Sequence, residues 1–225
     1  MNMQSVDRRR FLKTAASISA ASSLPAWFVE ECLASPQDKP AESANDKPSV
    51  ALIGCGGRGI GVANEASKFG NIVAICDVDD ANLTVARQKW PKASAFNDFR
   101  DVVALQDLDI VLCGTVDHWH TLVSTAAMRA GKDVYCEKPL TLTVAEGKHL
   151  VLESQKTGRI LQTGSQQRSD SRFRLACELV RNGRIGKLER VDVFLPAGRR
   201  EGPFAPSDPP QGMNWDMWQG PTQDV

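Results

Sequence analysis

The chain has 225 residues, 27 Lys and Arg against 27 Asp and Glu, and 42% hydrophobic residues. That length is ample for one large core or two modest ones, and a formal net charge of zero leaves no electrostatic footprint for nucleic acid or an anionic membrane as partner. Six cysteines are too sparse for a disulfide-stapled scaffold, and no run reaches the 18 strongly apolar residues of a membrane-spanning helix.

In chain order, Asp7-Arg8-Arg9-Arg10-Phe11-Leu12-Lys13 is followed by a charge-free stretch from Thr14 to Val29 rich in Ala and Ser. A basic segment before a mildly apolar one is the layout of an export signal. The spelling Arg-Arg-x-Phe-Leu-Lys resembles the twin-arginine (Tat) signal, with Asp7 where Ser or Thr is usual. Cleavage after Ala34 and a periplasmic or otherwise exported location are the expectation, against the plainer reading of residues 1–34 as a basic helix or tail. Residues 35–48 carry three prolines and no apolar period, as a tether does.

Ser49-Val50-Ala51-Leu52-Ile53 is a short β run that stops at Gly54-Cys55-Gly56-Gly57-Arg58-Gly59. A helical pattern follows to about Phe69, then a second strand over 71–77. This is a βαβ unit with G-x-G-x-x-G between strand and helix, the dinucleotide-binding arrangement. Gly54 permits the tight turn, Gly56 lets backbone approach a pyrophosphate, and Gly59 lets the helix pack on the strand. The helix N-terminus offers free N–H groups and a positive dipole end to phosphates. Asp77 ends the second strand, 18 residues after Gly59, where a carboxylate accepts from ribose hydroxyls and repels a 2′-phosphate. NAD is therefore expected over NADP.

Helical and strand patterns continue to alternate: a helix over 79–90, a strand at 94–96, a helix from Asp98, a strand over 108–113, a helix over 120–130, a strand over 133–136, a helix over 144–157 and a strand over 160–163. Such alternation predicts an α/β fold, a Rossmann-type doubly wound parallel sheet, with ligands beyond the carboxyl ends of its strands. The polar clusters Asp77, Thr115 to His120, Glu137-Lys138-Pro139 and Gly164 to Arg168 fall there. Asp117-His118-Trp119-His120 has metal-ligand types but no second ligand group at usual spacing, so no metal is assigned. Capping of the next helix by Thr115 or Asp117 is a further reading of that loop. Lys138 is either a mobile cation for proton transfer near the nicotinamide or part of an ion-paired turn. Cys55, Cys76, Cys113, Cys136 and Cys177 are expected as buried free thiols without redox or zinc roles.

Gly54-x-Gly56-x-x-Gly59, Thr115-Val116-Asp117-His118-Trp119-His120, Glu137-Lys138-Pro139 and Gly164-Ser165-Gln166-Gln167-Arg168 together resemble the Gfo/Idh/MocA oxidoreductases, in order and in spacing. Val116 stands where that family often has Pro. Asn214-Trp215-Asp216-Met217-Trp218-Gln219-Gly220-Pro221 is similar to the family's Trp-rich segment, and the likeness is to its Tat-exported, Planctomycete-like branch. The resemblance implies Gly57 and Arg58 at the pyrophosphate, Asp77 at the adenosine ribose, and Thr115, Asp117, His118, Trp119 and His120 along the cofactor groove. It implies Glu137 and Lys138 at the nicotinamide ribose, Gln166 near the nicotinamide, and Lys138 as the catalytic residue. The implied reaction is hydride transfer between NAD and a sugar or polyol hydroxyl carbon, with a small sugar-like substrate and a family tendency to form homo-oligomers. A related NAD-dependent glycoside hydrolase and a non-catalytic NAD-binding remnant are the alternatives.

Ser171 to Gly183 reads as an amphipathic helix, with Phe173, Ala176, Cys177, Leu179 and Val180 on one face. Residues 187–195 alternate as a half-buried strand would, which shifts the pattern toward an antiparallel sheet. The expected layout is thus signal 1–34, linker 35–48, NAD-binding domain 49–164, and over 165–225 the beginning of a truncated α+β substrate domain.

Overall fold

The computed structural model of the protein describes residues 47–195, 197–198, 202 and 205–222. The export signal, its cleavage site and the tether up to Asp46 lie outside the described residues.

Six strands form one parallel sheet: β1 (Ser49–Ile53), β2 (Asn71–Cys76), β3 (Ser94–Phe96), β4 (Ile110–Cys113), β5 (Asp133–Glu137) and β6 (Leu161–Gly164), in the order β3-β2-β1-β4-β5-β6. The chain winds outward from β1 in both directions, so the crevice between the ends of β1 and β4 is the switch point of a Rossmann-type fold. The helices are α1 (Gly57–Ala66), α2 (Asp80–Lys89), α3 (Phe99–Val103), α4 (His120–Arg129), α5 (Val144–Thr157), α6 (Ser171–Arg181) and α7 (Trp215–Gln219).

Period-two alternation in β1 explains why both faces are covered. Val50 and Leu52 point to one side, where Ile75, Ala63, Leu83 and Ala86 close over them. Ala51 and Ile53 point to the other, against Val111, Cys113, Val123, Met128 and Leu150. A strand apolar on both faces requires helices on both, and α1 with α2 and α4 with α5 supply them.

Local chemistry sets the helix starts. Asp79 Oδ1 accepts from Ala81 N at 2.8 Å, Asp98 Oδ1 accepts from Arg100 N at 2.9 Å, and Thr143 with Glu146 forms a reciprocal capping box. α1 differs. Its cap is Gly56, with no side-chain hydrogen bond and no acidic residue in the first turn. α4 likewise lacks a side-chain cap, but a 3₁₀ turn leads into it, whereas α1 starts directly from the glycine-rich loop.

Two expectations are corrected beyond β6. The strand read over 187–195 does not form; Phe194 is 94% exposed and Leu195 84%. Alternation cannot make a strand without a neighbour to share ladder bonds, and the described residues offer none. The helix at Ser171–Arg181 forms, but all its residues are exposed, so Cys177 is an exposed thiol rather than a buried one.

Candidate cofactor site

The ends of β1 and β4 meet through three glycines. Gly54 has φ +92°, and a Cβ there would lie 2.5 Å from the backbone of Gly114 and Thr115. A Cβ on Gly59 would lie 1.9 Å from the Gly54 carbonyl oxygen, and one on Gly114 would lie 2.8 Å from Gly59 Cα. These contacts press α1 onto the β1–β4 crevice. Gly114 was not legible as a member: it follows an apolar strand without a motif around it. Gly56 and Gly57 are the opposite case, with nothing within 4 Å of an added Cβ. The glycine pattern thus has two functions, close packing at Gly54 and Gly59 and an open cradle at Gly56 and Gly57. Beside the free N–H groups of α1, that cradle fits a pyrophosphate.

A cavity of about 190 Å³ opens from this crevice toward β2, lined among others by Gly54, Gly56, Asp77, Thr115 and Trp119. Asp77 stands at its edge. Its Oδ2 accepts from Cys55 N at 2.6 Å and its Oδ1 from Asp79 N at 2.9 Å, so the carboxylate also sets the glycine-rich loop. Burial pushes its pKa above the ordinary value, and those two N–H groups pull it partly back. Asn97 Nδ2 donates to the Asp77 carbonyl at 3.2 Å, and Asn97 and Asn82 line the same cavity, two polar residues that the sequence reading did not single out.

The Glu137 end of the groove is built differently. Glu137, 4% exposed, accepts from Arg58 Nε at 2.9 Å and Nη2 at 2.7 Å, so one ion pair joins the start of α1 to the end of β5. Burial pushes the Glu137 carboxyl up, but Arg58 and the Lys138 N–H more than offset it and hold it below the ordinary value. Lys138 itself is exposed, and among the described residues its ammonium makes no hydrogen bond or ion pair. The ion pair in this turn is that of Glu137 with Arg58. Gln166 is exposed on the turn after β6.

Residues 117–120 separate. Asp117 is exposed, and neither it nor Thr115 caps α4; a 3₁₀ turn runs straight into that helix. Thr115 Oγ1 instead donates to the Val116 carbonyl at 3.2 Å. Trp119 lines the cavity, while His118 Nε2 donates to the Trp218 carbonyl at 2.8 Å. His120 does not reach the groove. It is 1% exposed, and its ring bridges the carbonyls of Pro139 at 2.6 Å and Thr115 at 3.2 Å, bracing the two loops from behind.

Cys113, His120 and Cys136 bring three donor atoms within 4.8 Å of one another. Both imidazole nitrogens of His120 already face carbonyl oxygens, at 2.6 and 3.2 Å. Cys55, beside Asp77, is pushed up to about 12 chiefly by burial, whereas Cys113 is held below the ordinary thiol value chiefly by its hydrogen bond with Cys136.

Sequence and structure comparisons agree on kinship. The family model for the oxidoreductase family with NAD-binding Rossmann fold (GFO_IDH_MocA) matches residues 49–165. An inositol 2-dehydrogenase of Salmonella typhimurium is 31% identical over 118 residues, 52% of this chain and 35% of that protein. A glycosyl hydrolase family 109 protein 2 of a Shewanella species is 30% identical over 208 residues, 83% of this chain and 45% of that protein. The WlbA dehydrogenase from Bordetella pertussis, solved with NADH and UDP-GlcNAcA, superposes with a TM-score of 0.56 at 26% identity, over 63% of this chain and 41% of that one. The chain thus spans about a third to under a half of the length of the curated relatives it matches.

Proposed function

The chain belongs to the Gfo/Idh/MocA oxidoreductase family, with an NAD-binding Rossmann fold, and from that premise we propose that it binds NAD across the ends of β1, β2, β4 and β5 for hydride transfer to or from a sugar or polyol hydroxyl carbon. The observation that carries the reading is the uncapped N-terminus of α1 opening, through Gly56, into the cavity edged by Asp77. Phosphates fit the first and adenosine the second. Asp77 favours NAD, since a 2′-phosphate would meet a carboxylate already held in place by two N–H groups.

On this reading Glu137 accepts from the nicotinamide ribose hydroxyls, exchanging part of its bond to Arg58, and Arg58 turns toward the pyrophosphate. Lys138, exposed beside that carboxylate, would on the same reading orient the reacting hydroxyl. It would take up the hydroxyl proton as the neutral amine when the carbon is oxidised and return it from the ammonium when the carbon is reduced. Bound NAD supplies the hydride chemistry. The inositol 2-dehydrogenase among the relatives supports a polyol as substrate class.

Titration calorimetry with NAD and NADP tests the binding, and a screen of cyclic polyols and sugars for absorbance of NADH tests the reaction. NAD binding tighter than NADP is expected. Absence of binding to either would refute the reading, and release of sugar from a glycoside without net NADH would replace the dehydrogenase assignment.

A further inference from the structure

The Trp-rich segment returns to the cofactor domain. It attaches to both rims of the cavity. On the β2–α2 rim, Asn214 N donates to the Val78 carbonyl at 2.8 Å, Asp80 N donates to the Gly212 carbonyl at 2.9 Å, and Met213 forms an antiparallel bridge with Asp79. On the β4–α4 rim, His118 Nε2 and Trp119 Nε1 both donate to the Trp218 carbonyl, at 2.8 and 3.3 Å. Gly220, at φ +57°, lies against the Trp119 indole so closely that a Cβ would be 2.4 Å from Cζ2. Between these attachments Met213, Met217 and Trp218 face the cavity opposite Asp77, Val78 and Thr115.

We propose that residues 212–220 are a clasp that completes an adenosine subsite, binding the purine of a dinucleotide between thioether and indole side chains and the loop bearing Asp77. The proposal rests on the NAD-binding reading and adds a third wall to its site. Three features support it. The cavity holds about 190 Å³, below the roughly 300–1,000 Å³ of a pocket for a whole ligand, so it suits one nucleoside end. Its walls from the segment are flat or polarizable apolar groups, which suit a purine face, while hydrogen-bonding groups sit at the Asp77 and Asn97 edge. Finally, α7 has only five residues and cannot hold itself. Its order comes from the Asn214 cap (Met217 N to Asn214 Oδ1, 3.1 Å), the Trp215–Trp218 stack at 4.8 Å and the two rims. Anything that tightens both rims onto a ligand therefore also holds the clasp.

The test uses the full chain and three ligands: AMP, ADP-ribose and NAD. Met217→Ala removes a wall, and Gly220→Ala, outside the cavity lining, pushes the clasp off Trp119. Removing a stacked or packed contact to a base weakens binding by roughly ten- to a hundredfold. Both variants should lose about tenfold for all three ligands while the cooperative unfolding transition stays in place. Wild type that binds NAD, with either variant binding all three ligands as tightly, overturns the clasp and leaves the NAD reading standing. Wild type that binds NAD but neither AMP nor ADP-ribose overturns the adenosine subsite. Wild type that binds none of the three overturns both readings. A loss of affinity that merely follows a loss of folded protein in both variants also overturns the clasp.

Discussion

Alanine at Gly56 and alanine at Gly59 should separate binding from folding within a single motif. At Gly59 the added Cβ would sit 1.9 Å from the Gly54 carbonyl oxygen, where real contacts are not found under 3.0 Å. The first turn of α1 must therefore move by about 1.1 Å against a backbone that cannot yield as a side chain does. Overpacking costs about 1–3 kcal/mol when side chains give way, so Gly59→Ala should cost about 3 kcal/mol or more. At Gly56 the Cβ meets nothing within 4 Å, and φ is −65°. There, reduced freedom of the unfolded chain stabilises by about 0.4–1 kcal/mol, and a poorer helix cap offsets a similar amount. Stability of Gly56→Ala should stay within about 0.5 kcal/mol of wild type. The same methyl group enters the cradle, and losing one hydrogen bond to a charged ligand costs about 1.5–3 kcal/mol, or roughly ten- to a hundredfold in Kd. Urea denaturation and NAD calorimetry on both variants decide it. A Gly56→Ala variant that binds NAD like wild type, or a Gly59→Ala variant of unchanged stability, refutes the division of roles.

Asp77→Asn should lower the preference for NAD over NADP by about tenfold, since it removes the charge that repels a 2′-phosphate; the ratio of the two dissociation constants measures it, and an unchanged ratio would locate selectivity elsewhere. His120→Ala should destabilise by about 3 kcal/mol, a fall of roughly 10 °C in Tm, by leaving the Pro139 and Thr115 carbonyls unpaired around a cavity; a variant that keeps its Tm would mean the brace is not structural. Arg129, donating at 2.8 and 2.7 Å, holds the Glu153 carboxyl at about 2. A lowered folded-state pKa contributes stability above the ordinary value of 4.5 that fades as pH falls toward 2. Arg129→Ala should therefore flatten the Tm profile between pH 4.5 and pH 2, and a parallel profile would show that the pair does not couple to folding.

Local signals made the sheet and half of the site legible. Six apolar runs with helical patterns between them dictate a parallel sheet, because strands apolar on both faces leave no other arrangement. Gly54, Gly56, Gly59 and Asp77 were readable because their conformational or chemical demands are written at fixed spacing within one βαβ unit. Gly114 was not, since its need for a missing Cβ comes from Gly59, 55 positions earlier, and only the β1–β4 pairing brings them together. His120 shows the converse limit. Its residue type and loop suggested the groove, but which side of a loop a ring occupies depends on where the Pro139 carbonyl lies. The strand expected over 187–195 failed because alternation describes a face and not the neighbour that face requires.

The two ends of the groove differ in how much they are built before a ligand arrives. At the adenosine end Asp77 already holds two N–H groups, and the clasp already spans both rims, so little ordering remains to be done on binding. At the Glu137 end the buried carboxylate is satisfied by Arg58, whose side chain is half exposed, and Lys138 points free beside it. A ligand there meets a carboxylate whose Oε1 already holds a charge-assisted pair of bonds from Arg58. On the proposed reading, binding energy would be gathered mainly at the adenosine end, where the cofactor is inert. Under the proposed function, that distribution would keep the carrier anchored by one half while the other half meets a substrate.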